Sequence, residues 1–583
     1  MAAERVRAID GRTALALGAL LLLLPGLGGV GLWAPDEPRA AAVARELFSM
    51  AHGSEGLVLL HLNGEAYTQK PPLYYWLVGV ASLAPGEVTE WSARLPSALA
   101  GLATLALTVL LGGWLLDRRS AWLGAALLLT VFKFSHLARR AQFDVVLTLF
   151  ELGALAAFWR LDRGLGDRGR NRLVLHACMG LAMLTKGPVG FLIPVLAMAA
   201  WLAWEGRLGD LRRAFSPGAL LLSLGPILAW LGAAVALAPA GFFSETVGGG
   251  VLSRFFEGTS HARPFYYYLY QLPMEFMPWT LLAPAVWIAA RRRVFAAGTG
   301  AGGPAGVDDE RRRAWRFLLA WAGVTVLFFS LSSGKRGLYL LPCFPALALL
   351  CADSLRLVLE GRTRPPRALA AGAAGAGLAL WGVAGALLAR GEVLGAPVPV
   401  GFVAILVAAP ALAALAWRAF VRAGRIERLP AVAVGCAWLV LADLFHVGYP
   451  ALDGERSMKT VAQAALRWLP PRAPVALLGS EPMVGGLAYY AERPVEFLDE
   501  LEEVPAYFAG GGTALLMKES KLEAMRQVAA VVVRERLREG DRALVIVQPV
   551  DGVYSLSQPA PGEHSLSQPA DAKRAVSQPP PQP

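Results

Sequence analysis

Blocks of about 20 apolar residues recur along this chain, the length that crosses a bilayer core of roughly 30 Å as a helix. Residues 15–33, 96–116, 368–389 and 400–417 are examples, and 145–159 and 318–331 complete a span with their flanking residues. In lipid every backbone N–H and C=O must be satisfied within the segment, so such blocks fold as helices. The pattern specifies an all-α polytopic membrane protein. A hydrophobic content of 55% agrees, since soluble domains average about 45–50%. The C-terminal part differs, being mixed and polar.

Reading the blocks in order gives thirteen spans, near 13–33, 95–116, 120–136, 143–160, 173–186, 188–204, 216–239, 274–290, 315–331, 337–356, 368–389, 398–417 and 429–446. The least secure division is Thr185-Lys186-Gly187-Pro188, between spans five and six. Arg5, Arg7 and Arg12 precede the first block, as in a signal peptide. That block is longer than a usual signal core and no small-x-small site follows it, so it reads as a retained span.

The net charge of +11 would point to nucleic acid in a soluble protein. Here the arginines cluster between apolar blocks, and no zinc-finger or RNA-binding signature accompanies them. They read as topology signals. With the N-terminus in the cytoplasm, inside segments carry 28 basic residues, against 13 outside and before residue 447. The turn with Arg139 and Arg140 is the exception, being as basic as the inside turn before it. An odd span count puts everything after residue 447 outside. The outer face then holds a first loop (about 34–94), a second (about 240–273) and a soluble α/β domain (450–555). In that domain 475–478 and 543–547 read as strands, and 456–469 and 518–539 as helices. Residues 556–583 repeat Ser-Gln-Pro and cannot build a core, so they are expected to be disordered. Cys178, Cys343, Cys351 and Cys436 lie in apolar segments without metal-ligand spacing, and read as packing residues.

The chemistry is expected on the outer face. Asp36 and Glu37 abut the end of the first span. Lys70 precedes the aromatic stretch Pro71-Pro72-Leu73-Tyr74-Tyr75-Trp76, which suits the interface and an anionic headgroup. An ordinary snorkelling lysine would look the same. Asp144, Lys186, Lys335, Arg336 and Tyr339 recur at the same membrane level, and Arg254, His261 and Arg263 lie in the second loop. Basic groups there would hold a phosphate and stabilise its charge as a leaving group. A carboxylate would accept a proton from an attacking hydroxyl or orient the acceptor. No Walker loop, His-Glu-x-x-His or nucleophile elbow is present. A transporter of a lipid-linked or anionic substrate is the rival reading, but paired midplane charges and related halves are absent.

Taken together, these stretches resemble the membrane-embedded GT-C glycosyltransferases, specifically the bacterial ArnT branch and relatives of the protein O-mannosyltransferases. The match rests on Asp36-Glu37-Pro38-Arg39, Asn63-Gly64 through Lys70-Pro71-Pro72 to Leu77, Glu90-Trp91 through Arg94 to Ser97, Phe143-Asp144, Leu184 through Pro188, Arg254-Phe255 to Pro264, Pro278-Trp279, and Gly334-Lys335 through Pro342. It runs from residue 1 to about 555. The resemblance implies an inverting transfer of a sugar from a polyprenyl-phosphate donor to a lipid A-like, glycan or protein acceptor, at the outer face of a bacterial inner membrane. It implies Asp36 and Asp144 as the reaction-site carboxylates, with Glu37 beside them, and Lys70, Lys186, Arg263, Lys335, Arg336 and Tyr339 on the donor phosphate. Relatives often have Glu immediately before Lys-Pro-Pro, where this chain has Gln69. A divalent metal near His261 would lose that carboxylate, and neutral Gln69 is a poorer ligand. No obligate metal is expected.

Overall fold

The computed structural model describes residues 10–244, 262–295, 307–360, 365–393, 396–540 and 542–550. Arg254, His261 and the Ser-Gln-Pro stretch lie outside them. Among the described residues seven helices are long and apolar enough to cross a membrane: Glu90–Leu115, Pro217–Leu237, Asp309–Leu331, Gly337–Leu359, Arg367–Arg390, Val400–Arg422 and Ile426–Arg456. The count is eight if Arg118–Leu129 and Phe132–Ala138, bent by 70° at their junction, form one span. Fewer than thirteen spans are therefore drawn as long single helices. The expected span at 274–290, for instance, is broken: a helix Tyr267–Glu275 ends inside it, and a 3-10 turn at Trp279–Leu282 leads into the helix Ala283–Ala290.

The first nine helices build the part of the molecule that holds the polar stretches of the first loop. They are α1 (Gly11–Leu23), α2 (Asp36–Phe48), α3 (Leu73–Ser82), α4 (Glu90–Leu115), α5 (Arg118–Leu129), α6 (Phe132–Ala138), α7 (Phe143–Asp162), α8 (Arg168–Lys186) and α9 (Val189–Trp204). A small hairpin, β1 (His61–Leu62) with β2 (Glu65–Ala66), lies between α2 and α3. The apolar run at 13–33 was expected to be helical throughout, but α1 stops at Leu23. Pro25 and the glycines at 26, 28 and 29 do not sustain a helix. The freed carbonyls are bonded by arginines from other segments instead. Arg139 donates to Leu22 O at 2.6 Å, and Arg94 donates to Leu27 O, Val30 O and Gly31 O at 2.6–2.7 Å.

At Thr185–Pro188 the structure divides the chain. Gly187 takes φ +79°, a conformation that disfavours any side chain, and Pro188 follows it. Lys186 is therefore the last residue of α8, and α9 starts immediately beyond. Far from this turn, Trp159, Trp201, Phe158 and Phe317 pack ring against ring. Another polar joint ties the α4–α5 turn to two later helices. Arg311 bridges Asp117 and the buried Asp353, which also accepts from Trp315 Nε1 at 2.8 Å. All four cysteines are free, with Cys343 and Cys351 buried.

The C-terminal segment forms a five-stranded mixed sheet, in the order 495–498, 475–478, 515–518, 542–549, 531–539. The first three strands pair in parallel, and the last two joins are antiparallel. Residues 518–539 do not form one helix, as expected from sequence. Only Leu522–Val528 is helical, and Val531–Glu539 is a strand whose side chains alternate between half-buried and exposed. Its Val531-Val532-Val533 run favours a pleated strand.

Arg94 and Glu37 are each about 1% exposed. Removing one partner of such a pair strands the other and costs about 3–5 kcal/mol. Arg94→Ala should therefore lower thermal stability in detergent sharply, and Arg94→Lys should restore little, because one ammonium cannot serve three carbonyls and a carboxylate. A fluorescence-monitored melting series measures both, and a wild-type midpoint for Arg94→Ala would contradict the assignment.

Candidate active site

Asp36 is the first residue of α2, and Asp144 lies in the first turn of α7. Both carboxylates thus stand at helix N-termini, where unpaired N–H groups favour negative charge. Lys186 ends α8, where a cation is favoured for the converse reason. Asp36 Oδ1 accepts from Arg39 at 2.8 Å, and Oδ2 from Arg336 at 2.7 Å. Gln142 Nε2 approaches Oδ2 at 3.5 Å. Gln142 caps α7 and is itself fixed to α4, since its N–H donates to Ser97 Oγ and its carbonyl accepts from that hydroxyl.

Two residues beyond Gln142, Asp144 Oδ1 pairs with Lys186 Nζ at 2.5 Å. Its other oxygen, Oδ2, is buried without a hydrogen-bond partner. Phe143 lies between the two carboxylates in sequence. The ammonium groups of Lys70 and Lys186 stand 5.4 and 5.6 Å from its ring centre, and Lys186 is 4.3 Å from the ring centre of Tyr339. Such contacts hold a cation close to a carboxylate without neutralising it. The structure therefore brings together Asp36, Asp144, Lys70, Lys186, Arg336 and Tyr339, which lie far apart in the sequence.

Glu37 occupies a different place. Arg94 grips both its oxygens at 2.8 and 3.0 Å, Arg140 Nε reaches it at 3.0 Å, and the N–H groups of Trp33 and Ala141 donate at 3.1 and 2.8 Å. No lone pair is left facing the cleft, so Glu37 frames the site and does not react in it. Burial would raise its pKa, but the Arg140 and Arg94 charges outweigh burial and hold it at about 2. Arg140 of the basic turn is thus buried in this joint, while Arg139 beside it bonds Leu22 O and covers the Phe445 ring. Lys335 is likewise engaged, donating to Arg263 O at 2.9 Å and to Ser332 O. With Arg263, Phe265 and Ser333 it lines an open cleft of about 640 Å³ next to Arg336. Sequence reasoning did not assign Arg94, Arg140 or Gln142 a role at the site. The first two stand in stretches already singled out, but their partners are set by packing.

Among the described residues no group of three or more His, Cys, Asp or Glu side chains could hold a metal ion. Gln69, next to Lys70, accepts a hydrogen bond from Arg39 on its Oε1 at 3.2 Å.

Residues 12–239 match the family model described as dolichyl-phosphate-mannose-protein mannosyltransferase. The chain is 32% identical over 368 residues to an undecaprenyl phosphate-alpha-4-amino-4-deoxy-L-arabinose arabinosyl transferase of Pseudomonas savastanoi pv. phaseolicola, covering 61% of this chain and 63% of that one. It is 28% identical over 350 residues to the transferase of the same description in Shewanella sediminis, covering 59% of each. The matches thus span less than two thirds of these relatives' length. The crystal structure of ArnT from Cupriavidus metallidurans bound to undecaprenyl phosphate superposes with a TM-score of 0.73 at 22% identity, over 92% of this chain and 98% of that one. The chain shares the fold of that crystal structure. It is an integral membrane protein.

At this site Asp36 is held ionised. Burial would raise its pKa, but Arg336, then Arg39 and Gln142, bring it from 3.8 to about 2. A depressed carboxylate pKa contributes stability above its unfolded value, which is lost as pH falls through the folded one. The window is about pH 4 down to about 2, so Asp36 should impose no limb on an activity profile between pH 5 and 9. Arg336→Gln removes the leading charge and leaves the burial, so an acid limb should move upward toward the working range. Rate profiles of both proteins test this, and an unmoved limb in Arg336→Gln would separate Asp36 from the ionisation that matters.

Proposed function

We propose that this chain transfers a sugar from a polyprenyl-phosphate-linked donor to a lipid A-like, glycan or protein acceptor, with inversion at the sugar carbon. The carrying observation is the single wall on which Asp36, Asp144, Lys70, Lys186, Arg336 and Tyr339 meet. In such a transfer the bond from the sugar carbon to the phosphate oxygen breaks, and the polyprenyl phosphate gains a negative charge. Lys70, Lys186 and Arg336 stand where they would neutralise it, with Arg263 and Lys335 beside the adjoining cleft. Asp36 and Asp144 face the reacting carbon and acceptor, Asp36 as proton acceptor or acceptor-positioning group and Asp144 as the carboxylate that keeps Lys186 in place. The ArnT-type relatives are named for an undecaprenyl-phosphate-linked aminoarabinose, and we extend only the polyprenyl-phosphate class of that donor to this chain.

Residues 1–447 on this reading form the transmembrane transferase domain with thirteen spans and a cytoplasmic N-terminus, in a bacterial inner membrane. Residues 450–555 form the extracytoplasmic α/β domain. Support comes from the arginine distribution and from the placement of the polar wall at one end of the long helices. The rival transporter reading leaves that wall and the docked C-terminal sheet without a role.

Deleting the gene and weighing the envelope lipids, glycans and proteins should reveal one component lacking a single sugar mass. Reconstituted protein should then restore it from a polyprenyl-phosphate-linked sugar. An unchanged envelope together with no transfer in liposomes would overturn the proposal. Asp36→Asn should abolish transfer to a hydroxyl acceptor and leave part of the transfer to a phosphate acceptor, which is already a nucleophile. Full activity of Asp36→Asn toward every acceptor would remove it from the reaction.

With Gln69 bonded to Arg39, no obligate metal enters this scheme. Transfer should survive EDTA, with a rate within about twofold of the untreated enzyme. Loss on chelation and recovery with a divalent cation would show that a metal is required.

A further inference from the structure

The catalytic-site candidate Asp36 is pinned from both sides by the C-terminal domain. Three residues before it, Trp33 forms a β-bridge with Ser457 and donates its Nε1–H to Asp453 at 3.0 Å. Asp453 also accepts from Gly31 N at 2.9 Å, and Leu32 N donates to Tyr490 Oη at 2.6 Å. Three residues after Asp36, Arg39 lies against the helix Val484–Ala491 of that domain. Gly485 makes this approach possible. A Cβ built there would lie 2.6 Å from Arg39 Cα and 3.1 Å from Arg39 N. Both are backbone atoms, so no side-chain rotation can relieve the overlap. One and a half turns further along α2, Arg45 covers the Tyr489 ring at 3.9 Å and donates to Tyr489 O. Beyond α2, Asn63 in the β1–β2 turn exchanges two hydrogen bonds with Val495 on the edge strand, at 2.8 and 2.7 Å.

We propose that the C-terminal domain is a positioning element of the transferase site, and that Gly485 is the residue that sets it. The helix Val484–Ala491 fixes the height of the first turn of α2. That turn places Arg39, which with Arg336 holds the Asp36 carboxylate. Gly485 touches no reacting atom and acts through Arg39. The domain is thus more than a cap on the membrane part, since its removal or displacement releases the chain on either side of Asp36. A second glycine in the same helix, Gly486, has a separate duty, as its vacant side faces Met458 inside the domain.

The activity readout rests on the transferase reading above. Full-length Gly485→Ala and Gly485→Val would be reconstituted and assayed with a polyprenyl-phosphate-linked sugar that the unaltered chain transfers. Misplacing a reacting group by 1 Å costs up to about a hundredfold in rate. Turnover at saturating donor should therefore fall about tenfold or more in Gly485→Ala and further in Gly485→Val, with the donor KM within about twofold. Elution volume and melting midpoint should stay near those of the unaltered chain in Gly485→Ala. Should valine prevent assembly, the alanine variant decides. Asn63→Ala, which loosens the same docking from a second side, should lower turnover in the same KM-sparing way. Normal turnover in correctly assembled Gly485→Ala would overturn the proposal, and so would a loss carried by KM alone. An unaltered chain that transfers no sugar from any polyprenyl-phosphate donor would instead overturn the transferase reading.

Discussion

The buried joint of Glu37 with Arg94 and Arg140 is the interaction on which the rest of the site depends. A lone charge at that depth would cost several kcal/mol, and Glu37 is tolerated because both its oxygens are met by arginines and backbone N–H donors. The joint gathers four pieces of chain at one point: the segment after α1, the start of α2, the N-terminal part of α4, and the α6–α7 turn. This arrangement has a geometric consequence. Successive helix residues differ by about 100° around the axis. With Glu37 locked inward, Asp36 must point elsewhere, and it points to Arg39, Arg336 and Gln142.

The same economy of position explains the second carboxylate. Gln142 is fixed by Ser97, so α7 begins at a defined place and Asp144 follows in its first turn. The α8–α9 turn brings Lys186 to it, because Gly187 allows the chain to reverse. Two helix N-termini and one helix C-terminus thereby converge with charges matched to their dipoles. The site is preorganised, which is the property that stabilises developing charge without a reorganisation cost during reaction.

Much of this was legible in the sequence, and the reason is physical. Twenty-residue apolar blocks have one solution in lipid, so the helical membrane class followed. Charged residues at membrane level are costly enough to mark a site, and Asp36, Asp144, Lys70, Lys186, Arg336 and Tyr339 do share one wall. Partnerships were not legible. Glu37 read as an equal of Asp36, because adjacent carboxylates look alike until the arginines from 94 and 140 are placed. Arg139 and Arg140 confused the topology count because both are buried inside the protein, Arg140 against Glu37 and Arg139 against Leu22 O and the Phe445 ring, and such charges carry no topological message. The end of α1 is marked by Pro25 and the glycines after it, but what satisfies its carbonyls was not legible, because those partners are side chains more than sixty positions away. Residues 518–539 misled because helix formers there are outweighed by the pairing of Val531–Glu539 with the neighbouring strand.

The ionic setting of Asp36 bears on the class of acceptor. A carboxylate held at about pKa 2 by two guanidinium groups is a weak proton acceptor, and general-base efficiency falls as the pKa drops away from the working pH. In this state the site suits an acceptor that is already anionic, with Asp36 balancing the positive charge that develops on the sugar carbon. A hydroxyl acceptor needs more. Arg336 is the leading charge on Asp36 and also a candidate ligand of the donor phosphate, and one guanidinium cannot serve both fully. If the phosphate draws it away, burial is opposed mainly by Arg39, and the proton affinity of Asp36 rises while the donor is in place. The requirement for a base would then be met only in the donor complex, where water has less access to the sugar carbon.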